Sequence, residues 1–369
     1  MSSDTVTSSA ASSSDLAERL AARTLALVDA HSESRAEAAL AAHVLRELAD
    51  AGVPARDAGD TCVLAGATTR GERPLVLLAG HLDTVPAQGN WPGRIADGYV
   101  DGLGAADMKG GVAVMMELAL DLLATAANAN VDVGYVFFGR EELASAEGAL
   151  VPLLEREPGL RGADLAIMLE PTSNAVQAGC LGNLDATWTF HGRSGHSARP
   201  WLSDNAIERA ARGIAALAEI GPTDCPYGSL TYRQVASVTQ LEAGIATNVI
   251  PGTATANVNF RFDPGMDAGE AERTLRGWCE PHGSVEVRGV TLGAVPPHEN
   301  ALATALATVS GTAMEPKQAW TPVAELTAAG VDAVNFGPGD PAYAHRVDER
   351  IAVEALVRCH DVLARFLCG

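Results

Sequence analysis

At 369 residues the chain is long for one domain and sufficient for two, and 47% hydrophobic content supplies ample core. Its formal net charge of -20, from 26 basic and 46 acidic side chains, argues against a nucleic-acid partner, because phosphate binding needs clustered Lys and Arg. The acidic balance serves solubility, or a pocket built around cations. Six scattered cysteines (Cys62, Cys180, Cys225, Cys279, Cys359, Cys368) with no CxxC pair read as a reduced intracellular chain. No apolar run approaches membrane-spanning length, so no membrane partner is expected. The opening MSSDTVTSSAASSSD has neither the charged nor the apolar region of a signal peptide. Residues 1–15 are therefore expected to be a disordered tail, and the protein cytoplasmic.

Helical periodicity begins at Leu16 in LAERLAARTLALVDA and returns in EAALAAHVLRELADAG, where Gly52 closes the helix. Strands and helices then alternate. PLVLLAG is a strand, GVAVMMELALDLLATAA a helix, VDVGYVFFG a strand, EGALVPLLERE a helix and ADLAIMLEP a strand. These strands are apolar on both faces, as in a sheet covered by helices on each side. Polar chemistry must then sit at the strand ends.

From Asn183 the pattern changes to strands that alternate polar and apolar residues. LDATWTFHG, NAIERAARGIAALAEI, SLTYRQVASVTQLEAG, TATANVNFRFDP, DAGEAERTLRGWCE and SVEVRGVT read as β-α-β-β-α-β, the ferredoxin-like order. VDAVNFG then restores the buried-strand style. The pattern predicts an α/β chain in which residues 183–290 form a small α+β domain inserted into a larger one made of 16–182 and 291–369.

The apolar runs break off into metal-ligand residue types. PLVLLAG ends in His81-Leu82-Asp83, VGYVFFGR in Glu141-Glu142, ADLAIML in Glu170, and DAVNFGPGDPAYA in His345. In open α/β sheets ligands bind beyond the carboxyl ends of the strands, so residues so delivered have a reason to meet. His81 and Asp83, two apart, project to one side, which suits Asp83 to hold the imidazole's second N–H. Asp107 lies in GLGAADMKGG, whose glycine spacing does not fit a dinucleotide fingerprint. A carboxylate bridging two ions fits better. Glu141 and Glu142 diverge past the strand end, so one can bind metal while the other holds a proton. Each feature alone has a bland reading as a turn or solvated loop; their joint placement points to a metal centre. Nitrogen and carboxylate oxygen without cysteine suit zinc or a neighbouring divalent ion. Two ions sharing Asp107 would activate water and polarise a carbonyl, with a free carboxylate as general base. The expected reaction is metal-assisted amide hydrolysis.

HLDTVP, GLGAADMKGG, REEL, LEPT, GRSGHSARPWLSDNAI, TNVIPGTATANVNFRFDP and GPGDPAYAHRVDE together resemble the M20-type zinc amidohydrolase and carboxypeptidase family, from about Leu16 to the C-terminus. The resemblance implies a mixed-sheet di-zinc exopeptidase-like catalytic domain, a dimerising inserted domain and a homodimer. It implies two Zn2+, for which Co2+ or Mn2+ can substitute. One ion would take His81 and Glu170, the other Glu142 and His345, with Asp107 between them. Glu141 would be the general base, Asp83 the orienting carboxylate, and His196 an oxyanion donor reaching the partner subunit's site. Arg261, Asn248 and Thr321 would contact substrate.

The implied substrate is an N-acyl amino acid, with N-succinyl-LL-diaminopimelate first, as in the branch of the family that serves lysine biosynthesis. Another N-acyl amino acid such as acetylornithine, or a dipeptide, is the alternative. The chain departs from that branch at the start of the inserted domain, where Cys180, Leu181 and Asp185 stand in place of a basic residue. It also carries Pro322 where Asp is common and Glu325 where Arg is common. A non-catalytic metal- or ligand-binding relative is the reading from another class, and the intact Glu141 argues against it. An oxidoreductase would require a nucleotide cofactor, and no GxSxG elbow supports a serine hydrolase.

Overall fold

The computed structural model describes residues 4–123 and 130–369, with side chains from residue 14 onward. The chain divides into two compact units. The first comprises residues 1–178, 296–315 and 321–369, and the second residues 179–295 and 316–320. The boundaries fall a few residues outside those expected from sequence, and the 316–320 segment groups with the second unit. Two bonds within that unit account for this: Trp320 Nε1 donates to the Leu292 carbonyl (3.0 Å) and Gln318 Oε1 accepts from the Arg233 backbone N–H (3.2 Å).

The first unit is built on a mixed sheet of eight strands. Four of them, Asp132–Phe138, Leu75–His81, Leu165–Met168 and Ala333–Asn335, lie side by side and parallel in that order. Leu75–His81 is buried along its entire length, as its uninterrupted apolar run requires when helices cover both faces. Helices Asp4–Asp29, Gly110–Leu123 and Val353–Cys368 pack together in this unit. Ion pairs tie them: Glu117, 2% exposed at its side chain, binds Arg23 (2.7 Å) and Arg19. The helix predicted to run to residue 127 extends in part beyond the described residues. No helix among the described residues is long and apolar enough to cross a membrane.

One sequence expectation changes here, and one small sheet is new. The segment expected to be a disordered tail is helical from Asp4. Once the apolar stripe beginning at Leu16 nucleates a helix, each added residue gains a backbone bond without a new nucleation cost. A three-stranded sheet of Arg94–Ala96, Tyr99–Asp101 and Arg350–Ala352 was not visible in the sequence. Strands this short carry no periodicity.

The second unit contains a five-stranded antiparallel sheet. Gly182–His191, Leu230–Ala243, Thr253–Phe262 and Ser284–Thr291 pair in the ferredoxin-like order, with helices Ala206–Ile220 and Ala268–Cys279 as the crossovers. An additional edge strand, Thr223–Tyr227, forms a hairpin with Leu230–Ala243 through Gly228-Ser229. Pro226 masked it in the sequence, and an edge is where a strand tolerates proline. Burial alternates along Gly182–His191 and Thr253–Phe262, so one face carries Trp188, Phe190, Phe260 and Phe262, all fully buried. Trp188 also donates from Nε1 to the Cys279 carbonyl (3.1 Å), pinning the second helix to the sheet. Trp188→Ala is expected to cost about 3–5 kcal/mol, read as a lowered denaturation midpoint in urea.

Candidate metal centre

Parallel strands deliver their carboxyl ends to one edge, and the four central strands of the first unit do so in register. His81 closes its strand opposite Phe138, and the Leu82 N–H donates to the Phe138 carbonyl (2.8 Å). Glu141 and Glu142 follow directly, Glu170 follows the Leu165–Met168 strand, and His345 hangs on the loop after Ala333–Asn335. Gly337 in that loop has no room for a side chain. A Cβ there would lie 2.3 Å from the Leu169 carbonyl and 2.4 Å from that of Glu170. This close backbone approach brings the His345 loop against the Glu170 segment.

Asp107 sits between the two imidazoles and offers one oxygen to each. His81 Nε2 is 3.1 Å from Asp107 Oδ1, and His345 Nε2 is 3.5 Å from Asp107 Oδ2. Glu142 Oε1 lies 3.0 Å from His345 Nε2, and Glu170 Oε1 lies 3.9 Å from His81 Nε2. Three triads have ligand atoms within 4.8 Å of one another: His81–Asp107–Glu170, Asp107–Glu142–His345 and His81–Glu141–Glu142. The first is closed, with His81 wholly buried, while the His345 side chain is 51% exposed. One position is therefore deep and the other open to solvent.

The electrostatics fit divalent cations. Burial works against a charged His81, yet the hydrogen bond to Asp107 and the carboxylates of Glu141 and Glu170 hold its pKa well above the ordinary value. Hydrogen bonds that the His345 imidazole donates to Asp107 and Glu142 push its pKa up to about 10. Burial raises Asp107, but its two imidazole partners outweigh this and pull it below the usual carboxylate range. Glu141 goes the other way: burial, with Glu170, Glu142 and Asp107 nearby, lifts it well above that range against the pull of His81. Both imidazoles are thus drawn to hold a proton between nitrogen and carboxylate oxygen, the place where a cation would sit. Cations could take the place of those protons, and the donor set is the nitrogen–oxygen set that zinc and its neighbours accept.

The residues around the cluster hold it by its backbone. His81 Nδ1 meets the backbone carbonyl of Asp83 at 3.0 Å, while the Asp83 carboxylate stands off at 3.6 Å. The sequence suggested the carboxylate for this role. Because the strand stops at His81, the alternation that would align the two side chains no longer applies. The Asp83 carboxylate instead accepts the N–H groups of Glu141 (2.9 Å) and Glu142 (3.0 Å) and the Ser34 hydroxyl (2.7 Å). Glu37, 1% exposed, takes the neighbouring Arg140 N–H (3.0 Å). Glu349, 2% exposed, takes three N–H groups of the loop that carries Asp107. Ser34, Glu37 and Glu349 were not picked out from sequence, since a carboxylate or hydroxyl in a polar loop looks solvated until the fold buries it.

His196, Asn248 and Arg261 belong to the second unit. His196 pairs with Val249 across a two-residue bridge, and the Ser197 N–H donates to the Asn248 carbonyl (3.0 Å), so His196 and Asn248 are neighbours. Arg261 Nε donates to Asn259 Oδ1 (3.0 Å), and Asn259 Nδ2 donates to Asp185 Oδ1 (3.0 Å). Thr321 lies in the first unit, buried at the start of helix Val323–Ala328. Glu325 on that helix accepts from the Ser145 hydroxyl (2.7 Å), just past Glu142. Burial raises its pKa.

A mixed α/β sheet gathering two imidazoles and four carboxylates at the carboxyl ends of its strands defines the metal-dependent hydrolase class. The chain belongs to peptidase family M20/M25/M40, whose sequence profile matches residues 77–368, and it is an amidohydrolase of that family. Among its relatives, the Mycobacterium tuberculosis protein DapE is 37% identical over 94% of this chain and 97% of its own. The Corynebacterium glutamicum succinyl-diaminopimelate desuccinylase is 36% identical over 81% of this chain and 82% of its own. Acetylornithine deacetylase of Myxococcus xanthus is 31% identical over 93% and 92%. The fold is that of the Bacillus cereus aminopeptidase PepT, with TM-score 0.74, 19% identity and coverage of 95% and 98%. It is shared too by Bacillus subtilis YXEP, described as a dinuclear metal-binding M20 peptidase, with TM-score 0.67, 17% identity and coverage of 96% and 98%.

Proposed function

We propose that the protein is a cytoplasmic, homodimeric di-zinc amidase that removes the acyl group from an N-acyl amino acid, with N-succinyl-LL-diaminopimelate as the substrate. The observation that carries this reading is Asp107, one carboxylate with an oxygen on each imidazole. His81, Asp107 and Glu170 would hold one ion, and Asp107, Glu142 and His345 the other. Bound there, the pair supplies Lewis acidity that polarises the amide carbonyl and acidifies water.

The remaining steps belong to the protein. Glu141, buried and proton-seeking, takes the proton of the attacking water and passes it to the leaving amine. Asp83 fixes Glu141 and Glu142 through their N–H groups, so base and ligand keep their separation. His196 of the partner subunit would donate to the oxyanion as the tetrahedral carbon forms. Arg261, Asn248 and Thr321 would bind the substrate's polar groups. The second unit would supply the dimer contact.

Two observations favour a second acyl group. Asp185 joins Arg261 through Asn259, which lowers the positive charge that Arg261 offers to a carboxylate. Glu325 puts a further carboxylate beside the loop carrying Glu141 and Glu142. An acetyl group lacks the charge that both features oppose.

A panel of N-succinyl-LL-diaminopimelate, N-acetylornithine and dipeptides, assayed with zinc, cobalt and manganese, separates the two. Turnover of the succinyl compound, abolished by a chelator and restored by metal, is the expected result. An inert succinyl compound beside a hydrolysed acetyl one hands the site to the second reading.

A further inference from the structure

Glu349 spends its whole carboxylate on backbone. Oε1 accepts from the N–H groups of Ala106 and Asp107 (both 3.0 Å), and Oε2 from that of Gly104 (2.9 Å). Its own carbonyl accepts a fourth, from Gly102 (3.0 Å). Several N–H groups pointing into one concavity make an anion nest, and here the anion is part of the chain. Gly104 makes the turn possible with φ 75°, and a Cβ there would lie 2.5 Å from Thr84 Cγ2. The nearby Lys109 ammonium donates to the Ala30 carbonyl (2.9 Å) and adds its positive charge near the Glu349 carboxylate.

Glu349 shares a loop with His345. The loop turns through a bond from the Glu349 N–H to the Arg346 carbonyl (3.2 Å), then enters the Arg350–Ala352 strand, which pairs with Tyr99–Asp101. One end of this staple therefore carries Asp107 and the other His345. Their side chains meet at 3.5 Å.

We infer that Glu349 is a positioning residue that locks the Asp107 loop to the His345 loop and so sets the affinity of the solvent-facing ion position formed by Asp107, Glu142 and His345. The inference rests on the di-metal reading above. The deep position shares Asp107 but keeps His81 and Glu170 on their own strands, whereas the open position has two of its three ligands, Asp107 and His345, on the stapled loops. Loss of the staple should therefore weaken the open position more than the deep one.

The test is calorimetric titration of the metal-free dimer with Zn2+, wild type against Glu349→Gln and Glu349→Ala. Alanine leaves three buried donors without an acceptor and risks misfolding, whereas glutamine keeps the shape and one accepting oxygen. For Glu349→Gln the deep position should bind within about three-fold of wild type and the open one about 10- to 100-fold more weakly, the range for groups that orient metal ligands. Excess metal should restore kcat with KM unchanged. Equal affinities in wild type and Glu349→Gln overturn the inference, as does an equal loss at both positions, which marks general loosening. A wild-type chain that binds no ion removes the di-metal reading and this inference with it.

Discussion

Glu141→Gln should retain two bound ions and lose about 10²- to 10⁴-fold in kcat, the usual contribution of a positioned general base. Glutamine preserves the volume of the side chain and cannot take a proton. The backbone of residue 141 is held by Asp83 Oδ1 independently of its side chain, so the loop should not move. Burial and its acidic neighbours drive Glu141 strongly toward holding a proton. Steady-state kinetics beside elemental analysis of the purified variant reads both halves of the expectation. Near-wild-type turnover with both ions present would remove Glu141 from the chemistry and leave the cluster without an identified base.

Asp107→Ala should have the other large effect, through the ions. Each of the two positions loses an anionic ligand at once, because Oδ1 faces His81 and Oδ2 faces His345. The variant is expected to keep at most one ion per chain. Lewis-acid stabilisation of the transition state is worth several kcal/mol, so kcat/KM should fall by about 10³-fold or more. Metal content after dialysis and the heat of rebinding report on it directly. Two ions held at wild-type affinity would mean that the carboxylate does not bridge. The separation of roles between base and bridge makes the pair of variants informative together: one loses proton transfer with its metal intact, the other loses the metal with its base intact.

Much of this centre was legible in the sequence because its parts obey local rules. A strand buried on both faces must be an unbroken apolar run, so PLVLLAG and VGYVFF announce themselves, and a charged residue at such a run's end has only the sheet edge to occupy. His81, Glu141, Glu142 and Glu170 were picked out that way as candidate ligands, and Asp107 by glycines that match no phosphate loop; the fold brings their side chains together. The β-α-β-β-α-β pattern was likewise readable from the two-residue alternation in strands such as Thr253–Phe262.

Tertiary structure decided what depends on which loops touch. That the Asp83 carboxylate grips the Glu141 and Glu142 backbone, that Glu349 closes a nest around the Asp107 loop, and that Gly337 must be bare against Leu169 and Glu170 are facts about residues far apart in the chain. No periodicity encodes them. A buried carboxylate and a solvated one are the same letter, and only the fold's burial separates Glu349 from its exposed neighbour Asp348. The sequence alone thus determined the chemistry that strand ends could present, because hydrophobic patterning is local. The packing of loops determined how firmly each group is held, because hydrogen-bond partners are chosen in space.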